Sequence, residues 1–417
     1  MTAARRALQI GWSRRGTSAL RRLGFEADVV VDAESWDWFA QPGWSADVAE
    51  ALFVESHNWS EHLAFLLGRL MAAGREYDAV VGFDEFSLIS AWQAATSLGL
   101  PGLDWRLVAN MRDKSAQKAT LRKGGVACAR SWLIDDIRRQ RGEALRLRQH
   151  LPLVLKPYSG AGTVHTFVAH SDPQLLRAVD RLAASPSRTV LIETYVAGVE
   201  HHADGVVSDG QVCAFSLGEY LGNLVQIADG ITPASVALSP ATIPHAHQQA
   251  KDLVSRALAL LGLRNGVFHV ELFRTADAWV FSEAAMRVGG GGIPLHHDVM
   301  GGVNLHESMA RVQVGQAPQA GPSVAEAASP VTGWTFLPGP PGIVRSFPGR
   351  EEILNEKGVL GVEFNIRPGQ KLGLGTADTV ARVGSAVLIA ATRPEFLDRQ
   401  RSLVDWFRSR VEVEGPA

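Results

Sequence analysis

The chain has 417 residues, enough for two or three domains and more than one compact core needs. Its net charge of -2 and 46% hydrophobic content are those of an ordinary globular protein, without the cationic excess that would hold nucleic acid or an anionic membrane. Two cysteines, Cys128 and Cys213, make no disulfide framework and no CxxC, the apolar stretch at the N-terminus is too short for a secretory segment, and no run of roughly 18 apolar residues occurs, so a cytoplasmic protein with no membrane span is expected.

Over the first hundred residues short apolar runs (ALQIGW, ADVVVD, YDAVVGFD) alternate with helix-like segments (TSALRRLGF, EHLAFLLGRLMAAG, SLISAWQAATSLGL). That rhythm predicts a parallel sheet with crossover helices, closed by Pro101 and Gly102. A basic helix, MRDKSAQKATLRKGG, follows, with a glycine pair at its end. The next stretches read as strands: SWLI, LPLVLKPY, HTFVAH, RTVLIETYVAG and HHADGVVSDGQVCAFSLGEYL, the last turning as a hairpin at Asp209-Gly210. The middle of the chain is therefore α+β and largely antiparallel. A helix at HAHQQAKDLVSRALALLGL precedes two more strands, VFHVELF and WVFSEAA, joined by TADA. GQAPQAGPSVAEAASP reads as a linker near 315–330, and beyond it GWTFLPG, GIVRSF and GVEFNIRPGQ read as strands before a closing pair of helices.

The chemistry-bearing residues fall in the middle. The strand PLVLK delivers Lys156 to its end, and Ser159, Gly160, Ala161, Gly162 and Thr163 follow as a loop whose backbone N–H groups can wrap an anion. The loop matches neither the P-loop nor the dinucleotide fingerprint. Glu193 closes a β-branched run and Glu200 comes seven residues later, which leaves a short connector for a flat base and a carboxylate for ribose hydroxyls. Glu271 and Glu283, twelve apart on two strands with a short turn, can stand side by side on one face of an antiparallel pair. Such a pair repels unless a cation sits with it, and hard oxygen ligands without His or Cys suit magnesium. Arg287 follows four residues on, placed to meet a developing phosphate charge.

The ordered series of lysine, glycine loop, hinge acids, HVE and ExxxR resembles the ATP-grasp superfamily, in particular its carboxylate-amine ligases, among them L-amino acid ligases and the biotin-carboxylase-like enzymes, over about 110–315. The resemblance implies an ATP-grasp fold of mixed α/β and α+β type. It would comprise a Rossmann-like parallel α/β domain at 1–105, a two-lobed ATP-binding core at 106–318 with a lid lobe at about 118–195, and a C-terminal α+β domain at 319–417. By resemblance, Lys114 and Lys156 hold nucleotide phosphates and SGAGT is the lid loop. The connector Thr194, Tyr195 and Val196 holds adenine, Glu200 holds ribose, Glu271 and Glu283 hold Mg2+ or Mn2+, and Arg287 and Lys156 are catalytic. It further implies an amide-forming reaction through an acyl phosphate, small-molecule carboxylate and amine substrates, and a homodimer through the N-terminal domain. Ala285 departs from the family's E-x-N-x-R pattern, in which the Asn helps bind metal.

A carboxylase-type enzyme using bicarbonate, or a non-catalytic nucleotide-binding protein permitted by Ala285, are the alternatives. His201-His202 and His296-His297-Asp298 are read as structural or pocket residues, since neighbours on a strand point to opposite faces. The eleven tryptophans are read as core and surface cover, and HESMARVQVGQ as a helix.

Overall fold

The computed structural model describes residues 4–33, 35–40, 43, 45–160, 162–319, 321, 324, 330–373 and 382–414. The N-terminal unit runs β1 (Arg5–Ile10), α1 (Arg14–Arg22), β2 (Phe25–Val31), α2 (Trp36–Phe39), β3 (Val48–Phe53), α3 (Ser60–Ala72), β4 (Ala79–Gly82) and α4 (Ser87–Ser97). Its four strands are all parallel in the order β3-β2-β1-β4, as the β-α-β rhythm predicts. The strand VAEALF, absent from the sequence reading, is the partly exposed edge of this sheet.

The basic segment forms two helices, α5 (Trp105–Arg112) and α6 (Lys114–Lys123). Asp113 divides them, because its carboxylate accepts from the N–H groups of Ser115 and Ala116 and caps α6. A lid lobe follows: β5 (Ser131–Ile134), α7 (Arg141–Arg146), β6 (Leu153–Pro157), β7 (Phe167–Ala169), α8 (Asp172–Ala184) and β8 (Val190–Thr194), with antiparallel order β5-β8-β6-β7. The two helices were not foreseen. In α8, Leu175, Ala178, Val179 and Leu182 recur at helical spacing and pack on the sheet with Leu153, Leu155 and Ile192.

The core continues with β9 (Val199–Ser208), β10 (Gln211–Tyr220), β11 (Ala234–Ala237), α9 (Pro244–Leu261), β12 (Gly266–Arg274), β13 (Trp279–Ala285), α10 (Ile293–Val299) and α11 (Leu305–Gln313). Asp209 and Gly210 make the β9–β10 turn with φ of 50° and 80°, the left-handed geometry a two-residue hairpin needs. The last stretch holds β14 (Val331–Leu337), β15 (Gly342–Ser346), α12 (Arg350–Leu354), β16 (Val359–Phe364), β17 (Lys371–Leu372), β18 (Gly384–Ala390), α13 (Arg393–Arg408) and β19 (Glu412–Glu414). The expected closing pair of helices is one helix, α13, and a strand, because Val413 returns to pair with Val344 of β15. Eight strands form one sheet in the order β13-β12-β9-β10-β11-β14-β18-β16. The expected boundary at 318/319 thus falls between α11 and a strand that extends the core sheet, and half of the residues read as a linker lie outside those described.

β12 shows how the sheet serves two purposes. Phe268, Val270 and Leu272 point to one face and pack with Val254, Ala257, Leu258 and Leu261 of α9, while His269, Glu271 and Phe273 point to the other, where a cleft opens. The 2-residue period written in VFHVELF therefore separates a core from a site. Among the described residues no helix is long and apolar enough to cross a membrane.

Leu258, 1% exposed, lies in this packing. We predict that Leu258→Ala destabilises the protein by about 2–5 kcal/mol in denaturant unfolding, whereas an exposed neighbour, Leu260→Ala, shifts it by less than about 1 kcal/mol.

Candidate active site

β13 is the edge of the eight-stranded sheet, and α6 covers it. Gln117 donates to Ala284 O and accepts from Ala284 N, both at 2.9 Å, replacing a neighbouring strand. A bulge at Ser282 shifts the β12–β13 register, so that Glu271 pairs with Glu283 while Leu272 pairs with Phe281. Lys118 Nζ donates to the bulged Ser282 carbonyl at 2.7 Å. The side-by-side carboxylates expected from the sequence are therefore present, by a bulge the sequence did not reveal.

Around them lies a cleft of about 600 Å³ between the N-terminal unit, the lid and the core. Lys114, Lys156, Gly160, Gly162, Thr163, Glu193, Thr194, Tyr195, Val196, Glu200, Glu271, Glu283 and Arg287 all border it. Ser159 does not, its carbonyl being taken by Arg112, and Ala161 lies outside the described residues. Between them the glycine loop bends through left-handed backbone at Gly162, Thr163 and His165 (φ 66°, 62° and 56°), strained for the last two.

Lysines and glutamates interlock here. Glu193 sits between Lys118 Nζ (2.8 Å) and Lys156 Nζ (3.0 Å), and Lys156 is 3.7 Å from Glu283. Lys114 pairs with Glu283 and donates to Gly160 O at 2.7 Å. Burial pushes the Glu193 carboxyl up, but the charges of Lys118 and Lys156 more than reverse this and hold it below its ordinary range. Burial likewise opposes ionisation of Glu283, and Lys114 and Lys156 win, bringing it to about 2. Lys156 remains charged, because Glu193 and Glu283 outweigh its burial. Glu193 thus holds Lys118 and Lys156 in place along the wall of the cleft. Lys118, four residues after Lys114 on the same face of α6, was missed by sequence reading, although that spacing was its signal.

The connector after β8 has one free edge. The N–H groups of Thr194 and Tyr195 donate to the carbonyls of Arg130 and Pro152 at 2.9 Å, whereas the backbone N–H and carbonyl of Val196 have no hydrogen-bond partner among the described residues. An adenine edge would find its donor and acceptor there. Glu200 Oε2 accepts from Leu224 N at 2.6 Å, and burial followed by the Glu271 charge pushes the carboxyl up to about 8. Three carboxylates, Glu200, Glu271 and Glu283, thus share a region short of positive charge on the Glu200–Glu271 side. A hard divalent ion fits that deficit. Among the described residues no cluster of three or more His, Cys, Asp or Glu forms a ligand shell by itself, so the pair leaves coordination positions for phosphate oxygens and water.

Behind the carboxylates, buried Asp204 accepts from both His202 Nδ1 (2.6 Å) and His269 Nδ1 (2.8 Å). Against the effect of burial, Asp204 raises His269 to about 9, so an imidazolium stands 3.7 Å from Glu271 Oε1. The glycines after Arg287 now have a reason. A Cβ at Gly289 would lie 2.4 Å from Asp204 Oδ1, and one at Gly292 2.6 Å from the Trp334 side chain. Trp334, buried in the core as the tryptophans were expected to be in core or cover, also lines the cleft with His269. His201 is buried against Trp279, and His296 and His297 lie on α10, not on a strand. Ala285, where the family pattern has Asn, is buried opposite His269 in the β12–β13 ladder. Arg287 borders the cleft with its Nε on Glu85 Oε2 at 3.0 Å; Glu85 was also missed, since 202 residues separate the partners.

The site and sheet define the class: the chain has the ATP-grasp fold, and residues 149–294 match the family model of the ATP-grasp domain. Among relatives, the chain is 23% identical over 302 residues to an L-arginine-specific L-amino acid ligase of Bacillus subtilis, covering 70% of each chain. It is 27% identical over 203 residues to dapdiamide A synthase of Enterobacter agglomerans, covering 46% of this chain and 45% of the relative. The crystal structure of an L-amino acid ligase from Bacillus licheniformis superposes with a TM-score of 0.77 at 18% identity, covering 99% of both chains.

The Glu200 carboxyl holds a proton in the ligand-free fold at pH values where the unfolded chain, with an ordinary carboxyl near 4.5, has lost it. Stability therefore falls as pH rises from about 4.5 towards 8. Thermal melting at pH 5.5 and 8.5 checks this: the wild type should lose more stability between the two than Glu200→Gln, and equal losses would contradict it.

Proposed function

We propose that this protein is an ATP-dependent carboxylate-amine ligase that forms an amide or peptide bond through an acyl phosphate, releasing ADP and phosphate, with amino acids or a small peptide as substrates. The observation that carries the reading is the register pairing of Glu271 with Glu283 under a wall of three lysines, with Arg287 at the same cleft. The two ligase relatives support the choice of an amine acceptor. In this reading the units 1–105, 106–318 and 319–417 each line the cleft, through Glu85, the lysines and carboxylates, and Trp334 respectively.

A carboxylate is a poor acyl donor because its leaving oxygen is a strong base, and phosphorylation supplies a good leaving group. The protein's share of that chemistry is position and charge. Lys114, Lys118 and Lys156 meet the phosphates, and Val196 meets the base. Glu200 meets the ribose, and Arg287 faces the oxygens on which charge develops. Glu271 and Glu283 would hold magnesium or manganese, which neutralises phosphate charge when bound. Gly160 and Gly162 give the loop over the phosphates room to close and exclude water from a hydrolysable intermediate.

The test is phosphate release from Mg-ATP against pooled amino acids, with and without bicarbonate, and mass spectrometry of the products. A new mass equal to one carboxylate substrate plus one amine substrate minus water is expected, its rate of formation falling at least about 100-fold with Glu283→Ala. A bicarbonate requirement would point to the carboxylase-type chemistry, and ATP binding without turnover in any pool would count against a catalyst.

A further inference from the structure

Glu85 lies in the loop Phe83–Phe86 at the carboxyl end of β4, in the N-terminal unit, and is 7% exposed. Its backbone is fixed locally, because Asp84 Oδ1 accepts from the N–H groups of Phe86 and Ser87 at 2.8 Å. Its two carboxylate oxygens are divided between two arginines. Oε2 accepts from Arg287 Nε at 3.0 Å and Oε1 from Arg112 Nη1 at 2.6 Å. Arg112, itself buried, uses its other terminal nitrogen to donate to Ser159 O at 3.1 Å, at the root of the glycine loop. One carboxylate thus joins the N-terminal unit, α5, the lid root and the reaction-centre arginine.

We infer that Glu85 is a positioning residue: it fixes Arg287 at the reaction centre and, through Arg112, makes that position depend on where the lid root sits. This rests on the ligase reading. The physical argument is that a partly buried guanidinium needs an acid beside it, and Arg287, its side chain 21% exposed, has buried Glu85 as its only side-chain hydrogen-bond partner among the described residues. Glu271 and Glu283 act on Arg287 only at longer range, after Glu85, in raising its basicity. Removing the Glu85 charge leaves the guanidinium free to swing towards those carboxylates. Arg112 shares the same acid, so an outward shift of Ser159 draws on the same hydrogen bonds.

Two variants separate the two halves. Glu85→Gln keeps the shape and removes the charge. Its kcat should fall at least about 30-fold while KM for ATP changes less than about threefold, because the loss is one of transition-state positioning and not of nucleotide binding. Glu85→Asp should recover part of that loss, and it carries the same test if the glutamine variant does not fold. Retention of wild-type kcat in either variant, or a fall in melting temperature with kinetics intact, overturns the inference.

Arg112→Gln is read without turnover, by amide exchange over residues 162–166 with and without magnesium and adenylyl-imidodiphosphate. Wild type should gain protection with the nucleotide and the variant should gain at least about threefold less. Equal protection in both overturns the coupling to the lid. No protection even in the wild type refutes the nucleotide reading itself, and the two failures are thereby told apart.

Discussion

The structure depends on an electrostatic conflict: the antiparallel pair β12–β13 sets Glu271 directly against Glu283, and two carboxylates so placed repel. The fold relieves only part of this from within. Lys114 and Lys156 draw Glu283 down to about 2, while on the far side Glu200 is left near 8 and the His269 imidazolium stands by Glu271. One carboxylate of the pair is satisfied by protein, and the side facing Glu200 remains poor in cations. That asymmetry is what a divalent ion and a polyphosphate together would complete, since one brings the missing positive charge and the other the acceptors for lysines now held by Glu193 and Glu283.

The lysine wall exists because an edge strand must be covered. α6 lies along β13, and one face of it supplies Lys114, Gln117 and Lys118 at consecutive helical turns. Gln117 answers the backbone of the edge strand and Lys118 the carbonyl of its bulge, so structural and functional contacts alternate on a single face. Removing the Glu193 carboxylate would leave Lys118 buried without its acid, a loss of about 3–5 kcal/mol. A second glutamine repeats the device: Gln313 of α11 bonds both backbone groups of Gly82 at the edge of the N-terminal sheet and docks that unit beside the cleft, bringing Glu85 to Arg287.

What the sequence disclosed follows from the range of each interaction. The alternation in VFHVELF, the Asp209-Gly210 turn, the β-α-β rhythm and the placement of Lys156 at a strand end are local, and each is visible in a window of a few residues. The pairing of Glu271 with Glu283 was legible because a four-residue turn leaves little freedom of register, although the bulge that completes it was not. α8 carried its helical spacing openly and was overlooked among short strands, as was β3 at its exposed edge. Glu85 with Arg287, Asp204 with His269, and Lys118 with Glu193 join residues 202, 65 and 75 positions apart, where no local pattern exists. The run His296-His297-Asp298 was read with the geometry of a strand, whereas it lies on α10, whose first turn holds Pro294.

The measurement that bears most directly on the central claim is calorimetric titration of ATP into the protein with and without magnesium, for the wild type and for the double variant Glu271→Gln, Glu283→Gln. If the carboxylate pair holds the nucleotide through a divalent ion, ATP affinity in the wild type rises with magnesium and the double variant loses that dependence while still binding through Lys118 and Val196. The same magnesium dependence in both proteins would contradict the account, and would move the ion away from the pair on which the rest of the site is built.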